Sequence, residues 1–127
     1  MKSAKELVAE ANAVIKTLNV EEAKAKLGNP DVVFVDLREP GELKEHGVIP
    51  GSFHAPRGML EFYIDKDHPA HKPVFSSGKH ILFYCAGGVR SALAAKTAQE
   101  MGLSNCSHLG GGFKAWKDAG APTESAS

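Results

Sequence analysis

Cys85 is followed in order by Ala86, Gly87, Gly88, Val89, Arg90 and Ser91, so a nucleophile and an anion-binding group stand in one short run. The thiolate, not the thiol, is the reactive form of cysteine. Glycines allow a loop to turn successive backbone N–H groups inward, and a helix that begins there adds roughly half a positive charge. Both favour a thiolate at position 85. Arg90, the fifth residue after Cys85, brings a fixed charge and a planar fork of donors suited to sulfonate or phosphate oxygens. Each feature alone has a plain reading, since cysteine is often a small buried hydrophobe and a Gly-Gly turn near an arginine is common. Together they point to nucleophilic chemistry on a small anion.

That chemistry needs a strand to deliver the cysteine and a helix to receive the loop. His80 to Cys85, HILFYC, reads as a buried strand, and Ser91 to Met101 as an Ala-rich helix stopped by Gly102. Cys85 therefore sits at the carboxyl end of a strand, where open α/β sheets bind their ligands. Asp31 to Leu37, DVVFVDL, is a second continuous apolar run of the kind buried on both faces of a parallel sheet. Phe53 to Pro56 and Leu103 to Leu109 are weaker strand candidates. The first 18 residues have Leu7, Val8, Ala11, Val14, Ile15 and Leu18 at helical spacing behind a Ser3/Glu6 capping box, and Asn19 with Glu22 caps a second helix over Val20 to Leu27. Short helices are expected over Met59 to Ile64 and Phe113 to Ala119, a turn or short helix over Glu42 to His46, and the longest irregular stretch over Asp65 to Gly78. Strands alternating with helices make this an α/β domain with a mainly parallel central sheet flanked by helices.

The chain has 127 residues, with 15 Lys+Arg balanced by 15 Asp+Glu. That length predicts one core, able to bury roughly two-thirds of the unfolded surface without staples. Zero net charge supplies no broad footprint for nucleic acid or an anionic membrane. No apolar run approaches the length of a membrane span or a signal-peptide core, and two cysteines cannot form a disulfide framework. Cytoplasmic localisation with free thiols is the expectation. His68 and His71 form an H-x-x-H pair without further ligands, so no metal is expected.

The run Cys85-Ala86-Gly87-Gly88-Val89-Arg90-Ser91 resembles the active-site loop of single-domain rhodaneses. Val35-Asp36-Leu37-Arg38-Glu39 with Glu42, then Gly47-Val48-Ile49-Pro50-Gly51-Ser52 with His54, resembles the family's upstream signature, and Gly110-Gly111-Gly112-Phe113 with Trp116 its C-terminal one. The resemblance implies a three-layer rhodanese-like fold over residues 18–122, preceded by a helical extension over 1–17 and followed by a disordered tail over 123–127. It implies a sulfurtransferase that carries sulfur as a Cys85 persulfide, taken from a small anionic donor such as thiosulfate and passed to cyanide or a thiol, with no cofactor. Ala86 to Ser91 would bind donor and persulfide, Arg90 holding the sulfonate. Asp36 and Arg38, with Glu42, are expected to form a charged network supporting the sheet's carboxyl edge. His54 and Trp116 are expected to be structural, and Ser91 to cap its helix or line the pocket. A phosphatase or arsenate reductase on the same fold is the alternative, though such enzymes place Arg at the sixth position after Cys, where Ser91 stands here. A non-catalytic interaction module is the other. The apolar face of the first helix is to be covered by its own domain or by a second copy in a dimer.

Overall fold

The computed structural model describes residues 1–126. Five parallel strands, β1 (Thr17–Leu18), β2 (Val32–Asp36), β3 (Phe53–His54), β4 (His80–Tyr84) and β5 (Cys106–Leu109), form one sheet in the order β1-β5-β4-β2-β3. β2 and β4 pair along their whole lengths, Val32 opposite His80 through Asp36 opposite Tyr84, and this is why both read as uninterrupted apolar runs. Among the described residues six α-helices cover the sheet: α1 (Ala4–Val14), α2 (Val20–Lys24), α3 (Pro40–His46), α4 (Leu60–Ile64), α5 (Val89–Glu100) and α6 (Gly112–Asp118). The long segment before β4 carries only a 3-10 turn over Pro73–Ser76.

Two cores result. On one face Val35, Ile81, Phe83 and Cys106 pack with Leu60 and Ile64 of α4, Phe75, and Ala94, Ala95 and Ala98 of α5. On the other, Phe34, Leu82, Tyr84 and Leu109 meet Ala23 of α2 and Phe113 and Trp116 of α6. The small side chains of α5 let its backbone lie close to the sheet, which brings its first turn against the end of β4. Trp116 is fully buried, edge-on to Phe34 at 5.8 Å between ring centroids, with its indole N–H donating to Pro122 O at 2.7 Å. It is a core residue, as expected.

Three expectations change at the chain ends. The first helix stops at Val14, not Leu18, because Thr17 and Leu18 pair with His108 and Leu109 as the sheet's edge strand. The expected boundary after residue 17 therefore cuts a strand, while the apolar face of α1 is covered by its own domain: it packs on α5 through the fully buried Ala11, leaving Leu7 and Val14 exposed. The tail is ordered by pairing as far as Glu124, whose N–H donates to Val48 O at 2.9 Å and whose carbonyl accepts from Val48 N–H at 2.8 Å. Small polar residues concealed this, because the partner is backbone. Among the described residues no helix is long and apolar enough to cross a membrane.

Candidate active site

Cys85 follows β4 directly and has no exposed surface. Its Sγ accepts from the backbone N–H of Gly88 at 3.2 Å and of Ser91 at 3.4 Å, and lies 3.6 Å from the Ser91 hydroxyl. The turn that aims these amides depends on Gly88, which caps α5 with φ +98°, a left-handed conformation that disfavours any side chain. A Cβ there would also lie 3.1 Å from Gly111 N. Gly87 has no such requirement, so of the two glycines only Gly88 shapes the loop. Ala86, Gly87 and Val89 make no recorded hydrogen bond to the sulfur; they trace the arc, with Gly87 and Val89 exposed on its outer side.

The loop is clamped from beneath by the start of α6. Phe113 N–H donates to Cys85 O at 2.8 Å and Lys114 N–H to Ala86 O at 3.1 Å. Gly112 enables this approach: a Cβ on it would fall 2.5 Å from Ala86 O and 2.7 Å from Cys85 O. The Gly110-Gly111-Gly112 run thus belongs to the site's foundation.

Arg90 reaches back to α3, where its two terminal guanidinium nitrogens donate to the Glu42 carboxylate, at 2.8 and 3.0 Å. Glu42, whose capping role also fixes the start of α3, is pushed down to about 2 by this bond. Arg90 in turn is raised by Glu42 first and by the neighbouring Cys85 sulfur. Glu42 feels the charge of Arg38 but forms no hydrogen bond with it or with Asp36; its direct partner is the arginine of the loop, which it orients. Glu42 takes two of the five guanidinium donors.

Asp36 and Arg38 pair with each other, both about 1% exposed, through contacts of 2.7 and 3.0 Å. Arg38 also donates to Gly47 O at 2.7 Å and lies 4.3 Å above the Phe113 ring. Burial opposes its charge, yet the Asp36 bond keeps the guanidinium more basic than usual. This pair joins the loop after β2 to the first turn of α6, so it supports the clamp under Cys85 without touching the sulfur. His54 is structural, its Nε2 lying 2.7 Å from Arg38 O.

Ser91 does not cap α5, since Gly88 holds that position; it is the third residue of the helix, in its first turn, and is completely buried. Its hydroxyl sits 2.9 Å from His108 Nδ1, and His108 Nε2 lies 3.0 Å from Thr17 Oγ1. His108 is a residue that sequence reasoning passed over. Burial pushes its imidazole down to about 4, so the ring is neutral at physiological pH. The available signal was a Ser-His pair inside an otherwise apolar strand, both of which prove buried. Cys106, by contrast, has no basic neighbour; burial pushes its thiol up to about 11 and Sγ donates to Leu103 O at 3.3 Å. No group of three His, Cys, Asp or Glu gathers in metal-binding range among the described residues.

The rhodanese-like domain model matches residues 19–119, and the chain belongs to that family. It is 36% identical over 118 residues to a thiosulfate:glutathione sulfurtransferase of Saccharomyces cerevisiae, covering 84% of this chain and 81% of the relative. It is 30% identical over 106 residues to the thiosulfate sulfurtransferase/rhodanese-like domain-containing protein 3 of Mus musculus, covering 80% and 68%. Among solved structures, a Rhodopseudomonas palustris protein of unknown function, described as a possible tyrosine phosphatase, superposes with a TM-score of 0.95 at 54% identity, covering 98% of this chain and 96% of that one.

Proposed function

We propose that this protein is a thiosulfate-type sulfurtransferase that works through a Cys85 persulfide. The observation that carries the reading is the setting of Cys85 Sγ, which receives two backbone N–H bonds inside a five-step loop ending in an Arg90 already oriented by Glu42. The Cys85 thiolate attacks the outer sulfur of the donor, the S–S bond breaks, and sulfite departs with the electron pair. Arg90 binds the sulfonate and stabilises the charge that builds on it, as an oxyanion hole does. The loop amides then hold the anionic outer sulfur of the persulfide. An acceptor, cyanide or a thiol, attacks that sulfur and releases the Cys85 thiolate, so the kinetics are ping-pong. No cofactor takes part, and a reducing compartment such as the cytoplasm keeps Cys85 available.

A phosphatase reading draws on the description of the Rhodopseudomonas palustris neighbour. It fits the loop less well, because the arginine comes at the fifth position and Ser91 fills the sixth, leaving a narrower cradle for a tetrahedral phosphoryl group.

The deciding experiment is intact mass after incubation with thiosulfate, for the wild type, Cys85→Ser and Cys106→Ser. A gain of one sulfur that persists in Cys106→Ser and disappears in Cys85→Ser is expected. An unchanged wild-type mass together with turnover of a phosphate ester would overturn the reading.

A further inference from the structure

A buried thiol must lose its proton before it can act, and the surroundings of Cys85 restrict where that proton can go. The groups facing Sγ are the Gly88 and Ser91 N–H from the loop and α5, the Arg90 guanidinium beside them with Glu42 of α3 behind it, and the Ser91 hydroxyl. Amides and a guanidinium can only donate. Of the atoms recorded against Sγ, Ser91 Oγ is the one able to accept. The ring of His108 is faced in turn by Ser91 Oγ from α5 at Nδ1 and by Thr17 Oγ1 from β1 at Nε2, and by no charged group. Thr17 is an exposed residue on the sheet's edge.

We infer that Ser91, His108 and Thr17 form a proton exit line from Cys85 to the surface, in which the His108 tautomer records whether Cys85 is thiol or thiolate. Two arrangements of hydrogens satisfy every contact in the line. With Cys85 as thiol, S–H donates to Ser91 Oγ, Ser91 O–H to His108 Nδ1, and His108 Nε2–H to Thr17 Oγ1. With Cys85 as thiolate the direction reverses: Thr17 O–H donates to Nε2, Nδ1–H to Ser91 Oγ, and Ser91 O–H to the sulfur. Passing from the first to the second breaks the S–H bond, leaves its electron pair on Sγ, and moves one proton along each link. A proton leaves Thr17 Oγ1 for a solvent base such as hydroxide or a buffer anion. The imidazole is neutral before and after, and its burial, which keeps it from becoming a cation, suits it to this role. Ser91, His108 and Thr17 are positioning residues that act through the sulfur. The line serves any chemistry of the Cys85 thiolate and does not depend on the sulfurtransferase reading.

The test is the ring nitrogen spectrum of the full-length chain labelled with 15N-histidine, in the Cys106→Ser background so that Cys85 is the sole thiol. Spectra are taken at one pH where thiolate absorbance is absent and at one where it is complete. The two His108 ring shifts, assigned by their absence in His108→Asn, are expected to exchange character between these conditions, the protonated nitrogen moving from Nε2 to Nδ1. Cys85→Ala, Ser91→Ala and Thr17→Val each cut one link and should each abolish the exchange, while Thr17→Ser should restore it. A single tautomer at both pH values, an imidazolium at neutral pH, or an exchange that survives Ser91→Ala or Cys85→Ala would overturn the proposal. None of these readouts requires sulfur transfer, so a protein that takes no sulfur from thiosulfate still reports on the line. A histidine kept for packing alone would hold one tautomer throughout.

Discussion

Gly112→Ala should damage the site without altering any residue that touches the sulfur. The new Cβ would stand 2.5 Å from Ala86 O and 2.7 Å from both Ala86 C and Cys85 O, where ordinary contact begins at 3.4 Å. All three atoms are backbone, so no side chain can swing away; the loop or the start of α6 has to retreat by about 1 Å. Gly112 also has φ +65°, a conformation that costs a side-chain-bearing residue roughly 1–2 kcal/mol. The overpacking adds about 1–3 kcal/mol. The combined loss of stability should be about 2–5 kcal/mol, read as a lower midpoint in urea with an unchanged slope. A displacement of about 1 Å in a catalytic loop costs on the order of 100-fold in rate, so kcat/KM for thiosulfate should fall by about that factor in protein that is still folded. Gly78→Ala is the control, because Gly78 has φ +80° with nothing within 4 Å of its Cβ position, at the opposite end of β4. It should lose about 1 kcal/mol and keep full activity. If Gly112→Ala loses no more stability or activity than Gly78→Ala, the close approach of α6 to the loop has no functional weight and the clamp argument fails.

Three further outcomes follow from the charged groups. Arg90→Ala should lose more rate with thiosulfate than with an uncharged persulfide donor, and equal losses in steady-state assays of the two donors would remove the sulfonate-binding role. Asp36→Asn leaves Arg38 buried without its counter-charge and should lower the unfolding free energy by about 3–5 kcal/mol; a loss below about 1 kcal/mol in urea titrations would show that the pair is dispensable. Glu42 has its folded pKa lowered to about 2 from 4.5, so its contribution to stability is complete above pH 4.5 and disappears as pH falls towards 2. With both partners about one-third exposed, that contribution is about 1 kcal/mol. Glu42→Gln should therefore be less stable than the wild type at pH 7, by a margin that closes between pH 4.5 and 2. A margin independent of pH would contradict the assignment.

The sheet and the loop were legible because both announce themselves locally. DVVFVDL and HILFYC are strands whose central residues, Val32 to Val35 and Ile81 to Tyr84, are consecutive apolar or aromatic side chains, the pattern of a strand covered on two faces. Cys85, Gly88 and Arg90 lie within six consecutive residues, so their proximity needs no knowledge of tertiary structure. What the sequence concealed depends on partners far along the chain. Glu42 was grouped with Asp36 and Arg38 by nearness in sequence, whereas its bidentate partner is Arg90, 48 residues away. Thr17 and Leu18 continue a helical apolar pattern, and only the presence of β5 recruits them into the sheet. His108 looked like polarity on a weak strand until α5 and β1 were placed on either side of it. The tail at Glu124 is held by backbone pairing, which composition does not encode.

The edge strand β1 also sets the order in which the chain can complete itself. β4, the loop and α5 are contiguous and can assemble from local contacts, but Thr17 meets His108 only across 91 residues, and the amides that clamp Cys85 and Ala86 come from Phe113 and Lys114. Such long-range closure is slow relative to local structure. In a refolding chain β4, the loop and α5 can form before the clamp from α6 and the outer strand are in place. Refolding under oxidising conditions should therefore lose activity before it loses secondary structure.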